Sequence, residues 1–199
     1  MSPPNFSDAA AAQAAARRGL DIAVAATALL VTLPLWGGAA LAVRLQDGGP
    51  AFFRQERVGL HGRRFRMWKI RTMVPDAERR GGWQTAAGDP RITPLGRWLR
   101  RTSIDELPQL INVLAGDMSL VGPRPDTPAQ QAGYDPEDWA LRCSVRPGLT
   151  GPAQVASKSG AAPPSRLEID LDYVRNRSLR RDLAVLLRTL GTVLQLRNR

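Results

Sequence analysis

Cysteine is almost missing from this chain: it holds one, Cys143, which excludes an internal disulfide framework and fits a reducing compartment or a thiol of no special role. Histidine is as scarce, and His61, in a Gly-flanked turn, reads as a solvated loop residue rather than a metal ligand. Lysine is nearly absent too, so 26 of the 28 basic residues are arginine. Acids number 18, which leaves a formal charge of +10. Such an excess points to an anionic partner without naming it: nucleic acid, acidic lipid headgroups or a phosphorylated substrate. There is no internal repeat and no helix-turn-helix or RNA-binding signature, so charge alone carries the nucleic-acid reading, which leaves a long apolar stretch unexplained. What is present suits a folded protein, since 199 residues at 43% hydrophobic content fit one domain with attachments and suffice for a buried core.

Residues 1–16 are Ala-rich, without periodic large apolar side chains, and read as a mobile leader. Arg17 and Arg18 follow, and residues 22–43 then run 22 positions without a charge, enough to cross a bilayer at about 1.5 Å per residue. Pro34, with Gly37 and Gly38 close behind, interrupts the stretch, because proline removes a helical hydrogen bond and clashes with the preceding turn. Arginines flank both ends, Arg17 and Arg18 before and Arg44, Arg54 and Arg57 after, and the positive-inside bias draws both ends to the cytoplasm. A straight span cannot satisfy both. A re-entrant helix over residues 17–47, broken at Pro34, can, and it leaves residues 48–199 on the cytoplasmic face. Two other readings remain: a plain spanning helix, and a cleaved secretory signal with its A-x-A site at Ala40-Leu41-Ala42.

Beyond Gly48-Gly49-Pro50 the pattern changes to "AFFRQERVG" and "RRFRMWKIRTM", a predicted β-hairpin. Phe65 and Met67 share one face of the second strand while Trp68 and Ile70 break the phase, which requires a bulge or two covered faces. Residues 75–90 are polar and Gly-rich, a surface loop. Thr93-Pro94 is an N-cap with proline at the first helical position, and Leu95, Trp98 and Leu99 then give one apolar face. A helix closing at Gly116 is followed by a Pro/Gly-rich loop, "YDPEDWALR" is a short helix, and "VRPGLTGP" is expected to be loop. Ser165 and Glu168 have capping-box spacing before a helix with Leu167, Leu171 and Val174 on one face. Leu179, Leu183, Leu186, Leu187, Leu190, Val193 and Leu194 repeat at helical spacing beside several arginines, a helix that closes a core or lies in a membrane interface.

In "RTSIDELPQL" two acids stand side by side in this basic chain, Asp105 and Glu106. Ser103 and Glu106 have capping-box spacing, yet with Ser103 as N-cap Pro108 would cost a hydrogen bond; with Asp105 as N-cap it would not. Either register puts both carboxylates at a helix N-terminus, where oriented N–H groups also favour phosphate. Helical neighbours point about 100° apart, so the two acids suit separate tasks. One can attack phosphorus, giving an acyl phosphate, while the other holds a divalent ion, since Mg²⁺ is usually bound by one or two carboxylates plus substrate oxygens. Such attack needs cations nearby; Arg97, Arg100 and Arg101 lie just upstream, and Arg124 and Arg146 sit in stiff Pro/Gly-rich loops.

Together these residues resemble the bacterial sugar transferases, the monotopic phosphoglycosyl transferases. The resemblance runs in order through "RRGLDIAV", "PAFFRQERVGLHGRRFRMWKIRTM", "ITPLGRWLRRTSIDELPQLINVLAGDMSLVGPRP", "VRPGLTGPAQV" and "DYVRNRSLRRDLAVL". It implies transfer of a sugar 1-phosphate from a UDP-sugar to undecaprenyl phosphate, with UMP released and Mg²⁺ required. By position, Asp105 matches the nucleophile that forms a covalent phosphosugar intermediate, and Glu106 the acid that binds Mg²⁺. Lys69 and Arg100 match the family's basic residues, Arg124 and Arg146 its phosphate-contacting arginines, and Pro34 its helix-breaking proline. Three positions depart from the family pattern. Leu33 replaces the serine before that proline, so a side-chain hydrogen bond easing the break is expected to be missing. Pro152 replaces a large residue, and "QVASK" keeps a cation, Lys158, while losing a Gly and an Arg fork.

The expected fold is α+β and mainly helical, with a re-entrant N-terminal membrane helix, a small β-hairpin and amphipathic interfacial helices. The expected setting is the cytoplasmic face of a bacterial inner membrane, with UDP-sugar, undecaprenyl phosphate and membrane lipids as partners, no nucleic acid, and homo-oligomerisation left open. The alternative is a catalytically silent scaffold or regulator of a glycan-assembly complex, which release of UMP from a UDP-sugar would separate.

Overall fold

The computed structural model describes residues 6–158 and 165–196, apart from positions 78, 82–84 and 87. The described chain is mainly helical: α1 (Phe6–Val31), α2 (Leu33–Asp47), α3 (Pro94–Thr102), α4 (Gln109–Ala115), α5 (Pro136–Arg142), α6 (Pro152–Lys158), α7 (Arg166–Arg175) and α8 (Leu179–Leu196). Two small sheets complete it. Strands β1 (Phe52–Val58) and β2 (Arg64–Ile70) form the expected antiparallel hairpin, and β3 (Ser119–Val121) and β4 (Gly148–Thr150) pair in parallel.

The segment expected as a mobile leader is helical from Phe6, as alanine's helix propensity favours, while residues 1–5 lie outside the described residues. Helices α1 and α2 meet at a 59° bend. The break falls at Thr32, which places Pro34 in the first turn of α2, where its missing N–H costs little. The expected lack of side-chain help at the bend is corrected by two neighbours: Thr32 Oγ1 donates to the Ala28 carbonyl at 2.6 Å and Trp36 Nε1 to the Leu29 carbonyl at 3.3 Å. No single described helix is long and apolar enough to cross a membrane, though the bent pair together has the length and composition.

Hairpin register runs without a bulge from Phe52 opposite Ile70 to Val58 opposite Arg64. The mixed phase of β2 reflects two covered faces. Phe65 and Met67 join the main core with Leu110, Val113 and Leu120, whereas Ile70 joins Leu99, Ile104 and Val43 in a second cluster bordered by Phe52. Helix α1 is fastened to the main core by polar contacts as well. Arg18 donates to the carbonyls of Val113 and Leu114 at the end of α4, at 2.6 and 2.8 Å, and Asp21 accepts from the Leu120 N–H and the Ser119 hydroxyl.

Both strands of the parallel pair come from segments expected to be loop. Their glycines hide the strand signal because the backbones touch there: a Cβ on Gly148 would stand 2.1 Å from the Gly122 nitrogen. Thr93 caps α3 as expected, accepting from Gly96 N–H at 2.9 Å, but Trp98 faces outward and only Leu95 and Leu99 of that helix face pack inward. The Ser165 and Glu168 capping box opens α7. On α8, Val185 and Leu186 pack into the core, while Leu179, Leu183, Leu187 and Leu190 form an exposed apolar row, so the helix both closes a core and presents a second apolar face.

Candidate active site

Helix α3 ends at Ser103, which takes a left-handed conformation (φ 58°) and returns its N–H to the Arg100 and Leu99 carbonyls. Ser103 is therefore a C-cap, and its side chain does not cap the acids that follow. The expected register is corrected accordingly: Asp105 and Glu106 lie in a single 3-10 turn, Ile104–Glu106, one turn before α4, and Pro108 takes the N-cap place of that helix.

This turn gives adjacent carboxyls opposite characters. Asp105 is 6% exposed, and burial, reinforced by the charge of Glu106, raises its pKa from 3.8 to about 6 against the pull of Lys69 and Arg100. Burial pushes Glu106 upward as well, but the charges of Lys69 and Arg124 and their hydrogen bonds outweigh it and bring the group down to about 2. Lys69 Nζ, on β2, donates to Glu106 Oε1 at 2.9 Å, and Arg124 Nη2 donates to the same oxygen at 3.1 Å. Arg100, on the last turn of α3, is steadied by its Nε hydrogen bond to Thr72 Oγ1 at 2.8 Å.

Five of the expected residues thus converge: Asp105, Glu106, Lys69, Arg100 and Arg124. Arg146 is placed elsewhere. Its Nε donates to the Gly116 carbonyl at 2.8 Å, capping the far end of α4, which at seven residues is about 10 Å long. Lys158 closes α6, and its side chain lies outside the described residues. Pro34 belongs to the helix bend rather than to the carboxylate site.

Arg57, which the sequence shows only as a flanking charge, is half-buried beside the site. Its pKa is lowered to about 10 by burial and by the like charges of Arg124 and Arg166. The signal was available: in the hairpin register Arg57 stands opposite Phe65, a residue that packs against the core. Nothing in the local pattern pointed to the buried ions Asp126, Arg142 and Asp170, which lie on separate elements and meet only in the fold.

Among the described residues no group of three or more histidine, cysteine or acidic side chains is assembled to hold a metal ion. The residues nevertheless fit Mg²⁺ in the manner of a substrate-completed site. Glu106 is ionised and both cations donate to its Oε1, so Oε2 remains for an ion whose other ligands are phosphate oxygens and water.

The chain belongs to the bacterial sugar transferases, whose family model matches residues 12–196. It is 45% identical over 185 residues to a UDP-glucose:undecaprenyl-phosphate glucose-1-phosphate transferase of Caulobacter vibrioides, covering 89% of this chain and 69% of that protein. It is 41% identical over 180 residues to the Escherichia coli protein of the same name, covering 87% of this chain and 39% of the relative. A UDP-N-acetylgalactosamine-undecaprenyl-phosphate N-acetylgalactosaminephosphotransferase of Aeromonas hydrophila is 40% identical over 183 residues, covering 89% of this chain and 43% of its own length. The chain therefore spans less than half of the latter two relatives.

Proposed function

We propose that this chain transfers a sugar 1-phosphate from a UDP-sugar to undecaprenyl phosphate through an aspartyl phosphosugar intermediate, releasing UMP and initiating glycan assembly. The observation that carries the reading is the divided pair: a buried Asp105 within the electrostatic reach of Lys69 and Arg100, beside a Glu106 whose Oε1 is bonded by Lys69 and Arg124. A pKa of about 6 leaves Asp105 about nine-tenths ionised at pH 7 while making it a better nucleophile than an exposed carboxylate.

In the first displacement an Asp105 carboxylate oxygen bonds to the phosphorus bearing the sugar, the bond to the UMP oxygen breaks, and its electron pair leaves with UMP. In the second, an oxygen of undecaprenyl phosphate attacks the same phosphorus and the Asp105 carboxylate departs. Lys69 and Arg124 hold Glu106 in place, and Arg100 and Lys69 set positive charge around the reacting oxygen. Mg²⁺, when bound at Glu106, would offset charge on the donor's phosphates.

The exposed apolar row on α8 and the exposed leucines of the bent pair support seating at a membrane, and the arginines at both ends of the apolar stretch favour the cytoplasmic face of a bacterial inner membrane, with residues 17–47 re-entrant and 48–199 as the catalytic domain. The test is release of UMP from a panel of UDP-sugars by the purified chain in detergent with undecaprenyl phosphate, followed by a search for labelled sugar phosphate bound covalently to the protein. A wild-type chain that releases UMP and an Asp105→Asn chain that retains no label are expected; label retained by the variant would remove Asp105 from the role. Absence of UMP release across the panel would leave the scaffold reading.

A further inference from the structure

Arg124 sits in a loop that carries four consecutive carbonyls, each bound by a donor from another element. Pro123 O accepts from the N–H of Gly148, the first residue of β4, at 2.9 Å. Arg124 O accepts twice, from Arg142 Nη2 of α5 at 2.5 Å and from Arg166 Nη2 of α7 at 3.0 Å. Pro125 O accepts from Arg57 Nη1 at 3.1 Å and Asp126 O from the Val58 N–H at 2.9 Å, both from β1. Pro123 and Pro125 have no N–H and a fixed φ, so this stretch acts as a stiff run of acceptors.

The two guanidinium groups on the Arg124 carbonyl are themselves held. Arg142 pairs with Asp126 at 2.7 Å and with Asp170 at 3.0 Å, all three almost fully buried. Arg166 reaches the other oxygen of Asp126 at 2.8 Å, and the Tyr134 hydroxyl donates to Asp126 Oδ2 at 2.7 Å. Ions buried this deeply add little net stability over apolar packing. What they supply is a fixed frame around one peptide group, the one whose side chain meets Glu106.

We infer that Arg142 and Arg166 are positioning residues for Arg124: by binding its backbone carbonyl they fix the point from which its guanidinium reaches Glu106 and the donor phosphate. The contact with phosphate rests on the transferase reading; the clamp on Arg124 does not. A long side chain anchored at a loose backbone would sample many rotamers, whereas an anchored one loses less freedom on meeting its ligand.

Arg166 gives the cleaner test because its side chain is 42% exposed and its loss leaves the buried Arg142 pairs in place. In the full chain, Arg166→Ala should raise KM for the UDP-sugar about tenfold, with kcat within about threefold, the size of one charge-assisted hydrogen bond. Arg142→Lys, which keeps the charge and loses the fork, should give the same split. In an Arg124→Ala background the Arg166→Ala effect should vanish, since both act through one guanidinium. Phenylglyoxal labelling read by mass spectrometry supplies an arm that needs no turnover: Arg124 should label severalfold faster in Arg166→Ala while Arg100 is unchanged. Equal KM effects in the two backgrounds, or unchanged labelling of Arg124, would overturn the clamp. A wild-type chain that releases no UMP would sink the transferase reading, and labelling would then decide the clamp by itself.

Discussion

Along the bent pair α1 and α2, Leu30 and Val31 beside the bend and Leu45 near the end of α2 are 71, 73 and 76% exposed, whereas beneath the Arg124 loop Asp126, Arg142 and Asp170 are 1, 5 and 1% exposed. One region turns hydrocarbon outward and the other turns ions inward, the reverse of what water alone favours. The contrast separates two kinds of work. Outward hydrocarbon is stabilised only by an apolar environment beyond the chain, which the proposed bilayer supplies; inward ions hold a geometry that exposed ones would lose to solvent and salt.

Removing the nucleophile breaks the inward side most severely. Asp105→Asn should lower UMP release on the order of 10³-fold or more. The same variant also has a pH signature. Because the fold raises this group's pKa to about 6, its stabilising effect is complete below 3.8 and lost as pH rises through 6. Asp105→Asn should therefore melt higher than wild type at pH 8 and alike at pH 4. Glu106→Gln should reduce turnover about 10²-fold, leaving Lys69 and Arg124 without their shared anion, and destabilise the chain by about 1–2 kcal/mol at pH 7. Its sign is opposite: that stabilisation is complete above 4.5 and is lost as pH falls toward 2, so the difference in denaturant midpoint should close in acid.

A pH-rate profile sharpens the contrast between the two acids. Turnover should fall about tenfold per unit below pH 6, and Glu106→Gln should move that limb to lower pH, because the Glu106 charge is one of the two causes raising Asp105. On the outward side, Leu187→Ser with Leu190→Ser should cut flotation with anionic vesicles severalfold without changing the melting temperature, as both side chains are exposed. The smallest effect belongs to the bend: Thr32→Val or Trp36→Phe each removes one hydrogen bond to a helix carbonyl, costing about 0.5–1.5 kcal/mol, read as altered accessibility of single cysteines introduced along residues 33–47.

What the sequence made legible were features whose causes are local. Thr93-Pro94, the Ser165 and Glu168 box and the hairpin alternation each state their geometry within a few residues, and Asp105 with Glu106 stood out as acids in a basic chain. What stayed hidden depends on partners far along the chain. Gly122 and Gly148 read as loop because their value is close backbone approach, which no single segment announces. Ser103, one of two candidate helix starts in the sequence, is the end of a helix, its left-handed turn closing α3 before the 3-10 turn that holds the acids. Arg142 and Asp170 are 28 positions apart and acquire meaning only when α5 and α7 bring them together.

The anchoring of α1 has its own consequence. Arg18 ties that helix to the end of α4 and Asp21 ties it to β3, while the other end of α4 adjoins the 3-10 turn holding Asp105. Helix and site are therefore joined through a single short helix. On the proposed seating, the depth of the first helix in the lipid sets the height of the reactive oxygen above it, and the acceptor's headgroup must rise to meet a fixed level.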